Sequence, residues 1–340
     1  METMRIGLDL HVLHNLMQGS RTYVWNLSTR LPDLAPQHDF IFYVPADVAM
    51  SPPPEFKKRN VKLVRVPFAH SRLARLTLGL PAALLRDRVD LFHCQYIAPL
   101  IRPCAQVVAI HDIIHEVNPE FYPPKLRKMM SASYPISARR AAGVLTISQY
   151  SRGLLERIYG VRPERIHVTP LAASPEFRAI EDRDRIAEVC RRYGIAAPYL
   201  LFVGRIEPRK NLSALIEAYR RLKASGVLKH RLVVVGMKDA LFPGHYDEIR
   251  AAGAAADVRF VGGVAQEDLP YVYAGAEIFV YPSFAEGFGL PLIEAMACGT
   301  PVVAARRPAM DEVAGDAAAL VDPDRPEEIA AVIGRLLAGP

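Results

Sequence analysis

The chain has 340 residues, 51% hydrophobic and 23% charged, with a formal net charge of +6. That length suggests two domains and the composition is ordinary for a soluble globular protein. No run approaches eighteen apolar residues without charge, "METMRIGLDL" carries no readable secretory signal, and Cys94, Cys104, Cys190 and Cys298 form no CxxC or disulfide framework, so a cytoplasmic, reducing setting is expected.

Short apolar runs alternate with amphipathic helical patterns, the signature of parallel α/β architecture. "MRIGLDL" reads as a strand, followed by a loop to Gly19 and a helix from about Ser20. "FIFYV", "VKLVRV", "LFHC", "QVVAI" and "GVLTI" continue that half. After about Ala172 the chain turns polar through "SPEFRAIEDRDRIAEVCRRYGIAAP". "YLLFVG" then opens a second series with "RLVVVG", "VRFVG", "EIFVYP" and "TPVVAA". The expected division is residues 1–172, a linker over 173–197, and 198–340, each main part a Rossmann-like doubly wound domain. Ligands of such folds sit at the carboxyl ends of strands, so the loops there hold the candidate residues.

Charge is uneven along the chain. Residues 1–180 carry 23 Lys and Arg against 14 Asp and Glu, hence +9; the rest carry 19 against 22, hence −3. The excess is densest between residues 57 and 88, where Lys57, Lys58, Arg59, Lys62, Arg65, Arg72 and Arg75 interleave with Leu63, Val64, Val66, Leu73 and Leu76. Two readings stand: a solvated face, or contact with an anionic membrane leaflet or lipid-phosphate acceptor. No nucleic-acid-reading motif accompanies the charge, so nucleic acid is not expected as a partner.

Four strand-end loops carry the chemistry. In "PSFAEGFGLPLIEAMACGTPVV", Glu286 and Glu294 flank Gly287, Phe288, Gly289 and Leu290. Pro291 suits a first helical position and Gly299 a helix end. Backbone N–H groups at a positive helix terminus favour an anion, glycines let it approach, and each carboxylate can accept from a vicinal diol. A nucleotide sugar has that form; helix-end electrostatics and a surface acid would explain either glutamate alone. In "RIEPRKNL", Arg205 and Lys210 bracket a second helix terminus, with Asn211 as its expected N-cap, an arrangement suited to a diphosphate. In "LHNLMQGSRTYVWNL", Ser20 can cap the following helix and Arg21 could meet phosphate. In "AIHDIIHE", His111 and His115 imitate a zinc-protease pair. However, Asp112 replaces the glutamate, Pro119 cuts the helix short, and no third ligand stands at a recognised spacing, so no metal site is expected. "GFGLPL" is not a GxGxxG fingerprint, and the "DPD" at Asp322 to Asp324 reads as a turn and helix cap rather than a metal motif.

With these loops, the chain resembles the retaining glycosyltransferases of family 4, of GT-B fold. "VGRIEPRKNL", "YPSFAEGFGLPLIEAMACGTPVV" and "DEVAGDAAALVDP" resemble C-terminal motifs of that family; "GVLTISQYSRGLLERIYGV" and "AIHDIIHE" resemble parts of its N-terminal domain. The resemblance implies two Rossmann-like domains facing across a cleft, the first taking the acceptor. It implies a nucleotide-sugar donor held mainly by the second domain. Arg205 and Lys210 would bind the diphosphate. Glu286 and the amides of Gly287, Phe288, Gly289 and Leu290 would hold the sugar. Glu294 would hold the ribose, His111 would lie near the transferred sugar, and Gly19 near the diphosphate. No metal or other cofactor is implied.

A mannose-type donor with a guanine nucleotide is favoured over a uridine donor on the look of "HDIIHEVNPE". The acceptor would be a glycan or lipid-linked, and the protein peripheral at the inner membrane face. Alternatives are a sugar-nucleotide-binding protein without transferase activity and a His-metal hydrolase. There are departures from the pattern. Arg21 replaces the second glycine of the usual first loop, "AARRPAMDEV" replaces small polar residues, and the chain stops at Pro340, where relatives continue into a further helix. A trimmed chain or a different domain closure is the expectation from that last point.

Overall fold

Two all-parallel sheets organise the chain, seen in a computed structural model that describes residues 2–14, 19–46, 53–68, 71–226, 228–254 and 258–339. The first contains β1 (Arg5–Asp9), β2 (Asp39–Pro45), β3 (Val61–Val66), β4 (Leu91–Gln95), β5 (Ala105–Ala109), β6 (Gly143–Thr146) and β7 (Ile166–Val168), in the order β3-β2-β1-β4-β5-β6-β7. The second contains β8 (Tyr199–Val203), β9 (Arg231–Val235), β10 (Arg259–Gly262), β11 (Ile278–Tyr281), β12 (Val302–Ala305) and β13 (Ala319–Val321), in the order β10-β9-β8-β11-β12-β13.

Helices cover both faces of each sheet, which explains the continuous apolar runs. Phe40 and Phe42 of β2 enter one core with Leu8 and Val24, while Ile41 and Tyr43 enter the opposite core with Phe92 and Val108. In β8, Leu200 and Phe202 face one core and Tyr199 and Leu201 the other. A two-residue period buried on both faces leaves no polar alternation to read.

Each sheet also reverses its winding once. The chain runs from β1 outward through β2 and β3, then places β4 on the other side of β1; β8, β9, β10 and β11 repeat the pattern. Adjacent loops diverge at such a point and open a crevice at the carboxyl ends of the two strands. The second unit therefore offers its crevice between the loops after β8 and β11.

The first unit comprises the residues up to Val117 together with Pro124–Pro170; the second comprises Asn118–Pro123 and everything from Leu171. Within 173–197, expected as a linker, Arg183–Arg192 is a helix, and Phe177, Ile186, Cys190 and Ile195 belong to a core of the second unit. The polar texture there is the outer face of that helix.

The basic stretch also reads differently once folded. Val64, Val66 and Leu76 are core residues, so much of its apolar-basic interleaving is strand alternation. Arg75 is buried, Lys58 pairs with Asp33 at 2.6 Å and Lys62 with Asp87 at 3.3 Å. Leu73, Leu78 and Leu85 remain exposed on the helical segment that follows β3. Among the described residues no helix is long and apolar enough to cross a membrane.

Candidate active site

The loop after β8 makes one tight turn at Pro208–Lys210 before the helix Leu212–Ala224. Asn211 joins the two in the left-handed region, at φ 53°, where asparagine is better tolerated than most residues. Its side chain does not cap the helix as expected. Instead Nδ2 donates to the carbonyls of Pro282 (3.2 Å) and Pro323 (2.8 Å), tying this loop to those after β11 and β13. The Phe284 N–H donates to the Arg209 carbonyl at 2.9 Å, a second tie across the crevice.

These ties bring three charged side chains together. Lys210 Nζ donates to Glu286 Oε1 and to the Tyr281 hydroxyl, both at 2.6 Å, and Tyr281 donates to the same carboxylate oxygen at 3.0 Å. Arg209 lies 2.9 Å from the other oxygen, Oε2, and also donates to the Ala285 carbonyl (2.5 Å) and to Glu207 (2.6 Å). Burial alone would raise the Glu286 pKa, but Arg209 and Lys210 outweigh it and hold the carboxyl at about 2. Burial lowers the Lys210 pKa, with Glu286 opposing. Both oxygens of Glu286 are thus engaged by protein cations. Glu286, expected to hold the sugar, also orients Lys210 and Arg209, and Oε2, with one such contact, keeps acceptor capacity.

Arg205 stands at the same strand end, and Asp239 orients it at 2.9 Å while leaving it partly open to solvent. Asp239 arrives because the loops after β8 and β9 touch. A side chain on Gly236 would come within 1.8 Å of the Gly204 carbonyl oxygen, so only glycine allows that approach.

The loop after β11 reaches its helix, Leu290–Ala297, through Gly289 at φ 101°. Leu290 is the first helical residue and Pro291 the second; Gly299, at φ 76°, follows the end. Gly287, Phe288 and Gly289 are buried at that terminus. Glu294 sits in a separate network: the Tyr273 hydroxyl donates to Oε2 at 3.0 Å. Burial, with a smaller contribution from Glu176, pushes its pKa up to about 7, and the Tyr273 hydrogen bond opposes the rise. The two glutamates therefore differ physically, one clamped in its ionised form and one readily protonated.

In the first unit, His111 follows β5 and is buried. Its ring meets Tyr23 edge-on, with centroids 4.6 Å apart, and its Nε2 has no hydrogen-bond partner among the described residues. Burial, helped by nearby His93, lowers its pKa to about 4. Tyr23 also lies 3.3 Å from His93 Nε2. His115 faces elsewhere, with Nε2 3.2 Å from the Tyr159 hydroxyl, so the two histidines do not converge. Among the described residues no group of three His, Cys, Asp or Glu side chains is arranged to hold a metal. Gly19, Ser20 and Arg21 all lie inside the helix Gly19–Leu34, so Ser20 is not a residue that precedes and caps it. Arg21 donates to the Leu13 carbonyl at 3.1 Å. Residues 15–18 of that loop lie outside the described residues.

Sequence reasoning passed over Arg209, Tyr281, Asp239 and Tyr273. The signal for the first two was available: Arg209 adjoins Lys210, and Tyr281 closes a strand whose loop was already singled out. Asp239 and Tyr273 come from segments that only the folded topology brings near. The "DPD" turn is present, with the Asp324 N–H donating to Asp322 Oδ1 at 3.1 Å. The residue before the next helix, however, is Arg325, and no side chain caps it there.

Two family models cover these two units in turn. "Glycosyltransferase Family 4" matches residues 17–177 and "Glycosyl transferases group 1" matches residues 194–340. The chain belongs to this family of glycosyltransferases and has its GT-B fold. It is similar to O-antigen chain mannosyltransferase B of Escherichia coli, 36% identical over 67% of this chain and 60% of that protein. It is also similar to D-inositol 3-phosphate glycosyltransferase of Geodermatophilus obscurus, 34% identical over 75% of this chain and 56% of that one. The chain thus spans 60% or less of the length of these relatives. Anabaena HepE, solved in complex with UDP-glucose, shares the fold, with a TM-score of 0.74 at 21% identity over 98% of this chain and 90% of its own.

Proposed function

We propose that the protein is a retaining hexosyltransferase that moves a mannose-type sugar from a nucleoside-diphosphate donor to a glycan or lipid-linked acceptor without a metal. The observation that carries this reading is the convergence of Arg205, Arg209 and Lys210 on the carboxyl ends of β8 and β11, with Lys210 and Arg209 oriented by Glu286. Cleaving a glycosyl phosphate places negative charge on the departing diphosphate. Cations already fixed in place stabilise that charge without reorganising, the largest contribution in many enzymes. Lys210 and Arg205 are assigned to the diphosphate, and the amides of Gly287, Phe288, Gly289 and Leu290 at the helix terminus to the donor sugar. Glu286 holds Lys210 and Arg209 in place and is itself assigned to the donor sugar. Glu294 accepts the ribose hydroxyls.

Gly19 and Arg21 keep their assignment beside the diphosphate, with Ser20 among the substrate-binding residues. At Gly19 an added Cβ would meet nothing within 4 Å among the described residues. His111, uncharged near neutrality, is assigned to the transferred sugar. The mannose-type donor is supported by the name of the Escherichia coli relative, and a guanine nucleotide is the favoured base. With cations and a helix end in these roles, no cofactor is required. Nucleic acid is not a proposed partner. We place the protein in the cytoplasm, peripheral at the inner membrane face through Leu73, Leu78 and Leu85 beside the exposed Arg72, Arg86 and Arg88. A thermal-shift screen of nucleotide sugars tests the donor. GDP-mannose should stabilise the protein more than UDP-glucose; a preference for UDP sugars, or no response to any, would contradict the assignment.

A further inference from the structure

A second cleft, of about 320 Å³, lies beside the donor crevice within the second unit. Its walls are Asn118, Glu120, Phe121, Phe284, Arg307 and Asp324. Phe284 is two residues before Glu286 in the loop after β11, Arg307 follows β12, and Asp324 follows β13. The cleft therefore continues along the same carboxyl edge of the sheet that carries the donor residues. Asn118, Glu120 and Phe121 come from Asn118–Pro123, the short segment that joins the second unit from the middle of the first.

We propose that this cleft is a subsite for an uncharged sugar residue of the acceptor glycan. The Phe121 and Phe284 rings stack with centroids 5.8 Å apart and planes 12° apart, and they are the two aromatic side chains of the lining against which the C–H face of a pyranose can pack. Around it stand a planar amide, two carboxylates and a guanidinium, the groups that pair with adjacent hydroxyls as donor and acceptor. They are already mutually oriented. Asn118 Nδ2 lies 3.3 Å from Glu120 Oε1, and Arg307 donates to Asp324 Oδ2 at 2.6 Å.

The charge pattern selects between a neutral and an anionic ligand. The walls carry one positive and two negative side chains, and Arg307 is already paired with Asp324, with Asp322 a further 3.9 Å contact. A phosphate would meet net repulsion there; a neutral polyol would not. The volume is at the lower end of small-molecule sites, about 300–1,000 Å³, enough for one sugar residue and too little for a nucleotide sugar. Two sequence features outside the donor site also meet here: Arg307, in the stretch that departs from small polar residues, and Asp324 of the "DPD" turn.

The inference rests on the transferase reading, but its test separates the two. The full chain is titrated with α-linked mannotriose under saturation-transfer NMR, and the acceptor KM and the donor's hydrolysis by water are measured alongside. The variants are Phe121→Ala, Phe121→Tyr and Arg307→Ser. Mannotriose should give a signal with the wild type that Phe121→Ala and Arg307→Ser abolish, with acceptor KM raised roughly tenfold. Donor hydrolysis should be unchanged in both, and Phe121→Tyr should behave as wild type. No signal from the wild type, or unchanged signal and KM in both variants, overturns the subsite. A Phe121-dependent signal in a protein that neither transfers nor hydrolyses any donor would keep the subsite and sink the transferase reading.

Discussion

Replacing Glu294 by glutamine should stabilise the protein at alkaline pH and do little at acid pH. The carboxyl is buried and its pKa is raised from 4.5 to about 7, with burial as the main cause. Between those two values the folded chain keeps a proton that the unfolded chain has lost. Stability therefore falls as pH rises through that window and levels off above it. A rise of that size corresponds to about 3 kcal/mol, at 1.36 kcal/mol per unit. Glutamine occupies nearly the same volume, its amide oxygen still accepts from Tyr273, and it does not ionise. The variant's advantage over wild type should thus grow by about 2.5 kcal/mol between pH 5 and pH 8.5. Urea unfolding followed by circular dichroism measures it; the single tryptophan, Trp25, belongs to the first unit and would report the wrong half. A gap between variant and wild type that is equal at both pH values would refute the reasoning. Under the proposed assignment of Glu294 to the ribose, whose hydroxyls donate to an ionised carboxylate, nucleotide affinity should also rise with pH in the wild type and not in the variant.

Lys210→Ala and Arg205→Ala should each lower turnover by roughly 10²–10³, the usual scale for losing one electrostatic donor, with the fold retained. A near-normal rate in either would move the diphosphate elsewhere. Glu286→Ala leaves Lys210 and Arg209 without their shared partner and should cost about 3–5 kcal/mol of stability, a scale measured when one member of a buried pair is removed. An unfolding midpoint equal to wild type would show that the pair is solvated rather than buried. Vesicles containing anionic lipid should retain the protein at low salt and release it as salt rises. Equal recovery from neutral vesicles would remove the membrane assignment.

The fold was legible because the strands β8, β9 and β11 are unbroken apolar runs ending in loops rich in glycine, proline and charge. The shortest strands, β7 (Ile166–Val168) and β13 (Ala319–Val321), are too brief for any period to appear. At the site, composition drew attention to Glu286, Glu294, Arg205 and Lys210 but could not say which charges pair. Glu286 and Lys210 are 76 residues apart, and only the topology that sets β11 beside β8 makes them partners at 2.6 Å. The same limit hid Tyr273, 21 residues before Glu294, whose hydroxyl donates to that carboxyl. Asn211 misled for a tertiary reason. An asparagine before a helix usually caps it, but here two backbone carbonyls from distant loops claim the amide.

Transfer itself is the most direct test of the account. The purified chain is incubated with GDP-mannose and a mannosylated acceptor in excess EDTA, and the product is analysed by mass and by NMR of the new anomeric centre. One added hexose in the α configuration of the donor, formed at the same rate with and without chelator, is the predicted result. Nucleotide-sugar binding without product, a β-linked product, or activity lost in EDTA and restored by Mn²⁺ would contradict it.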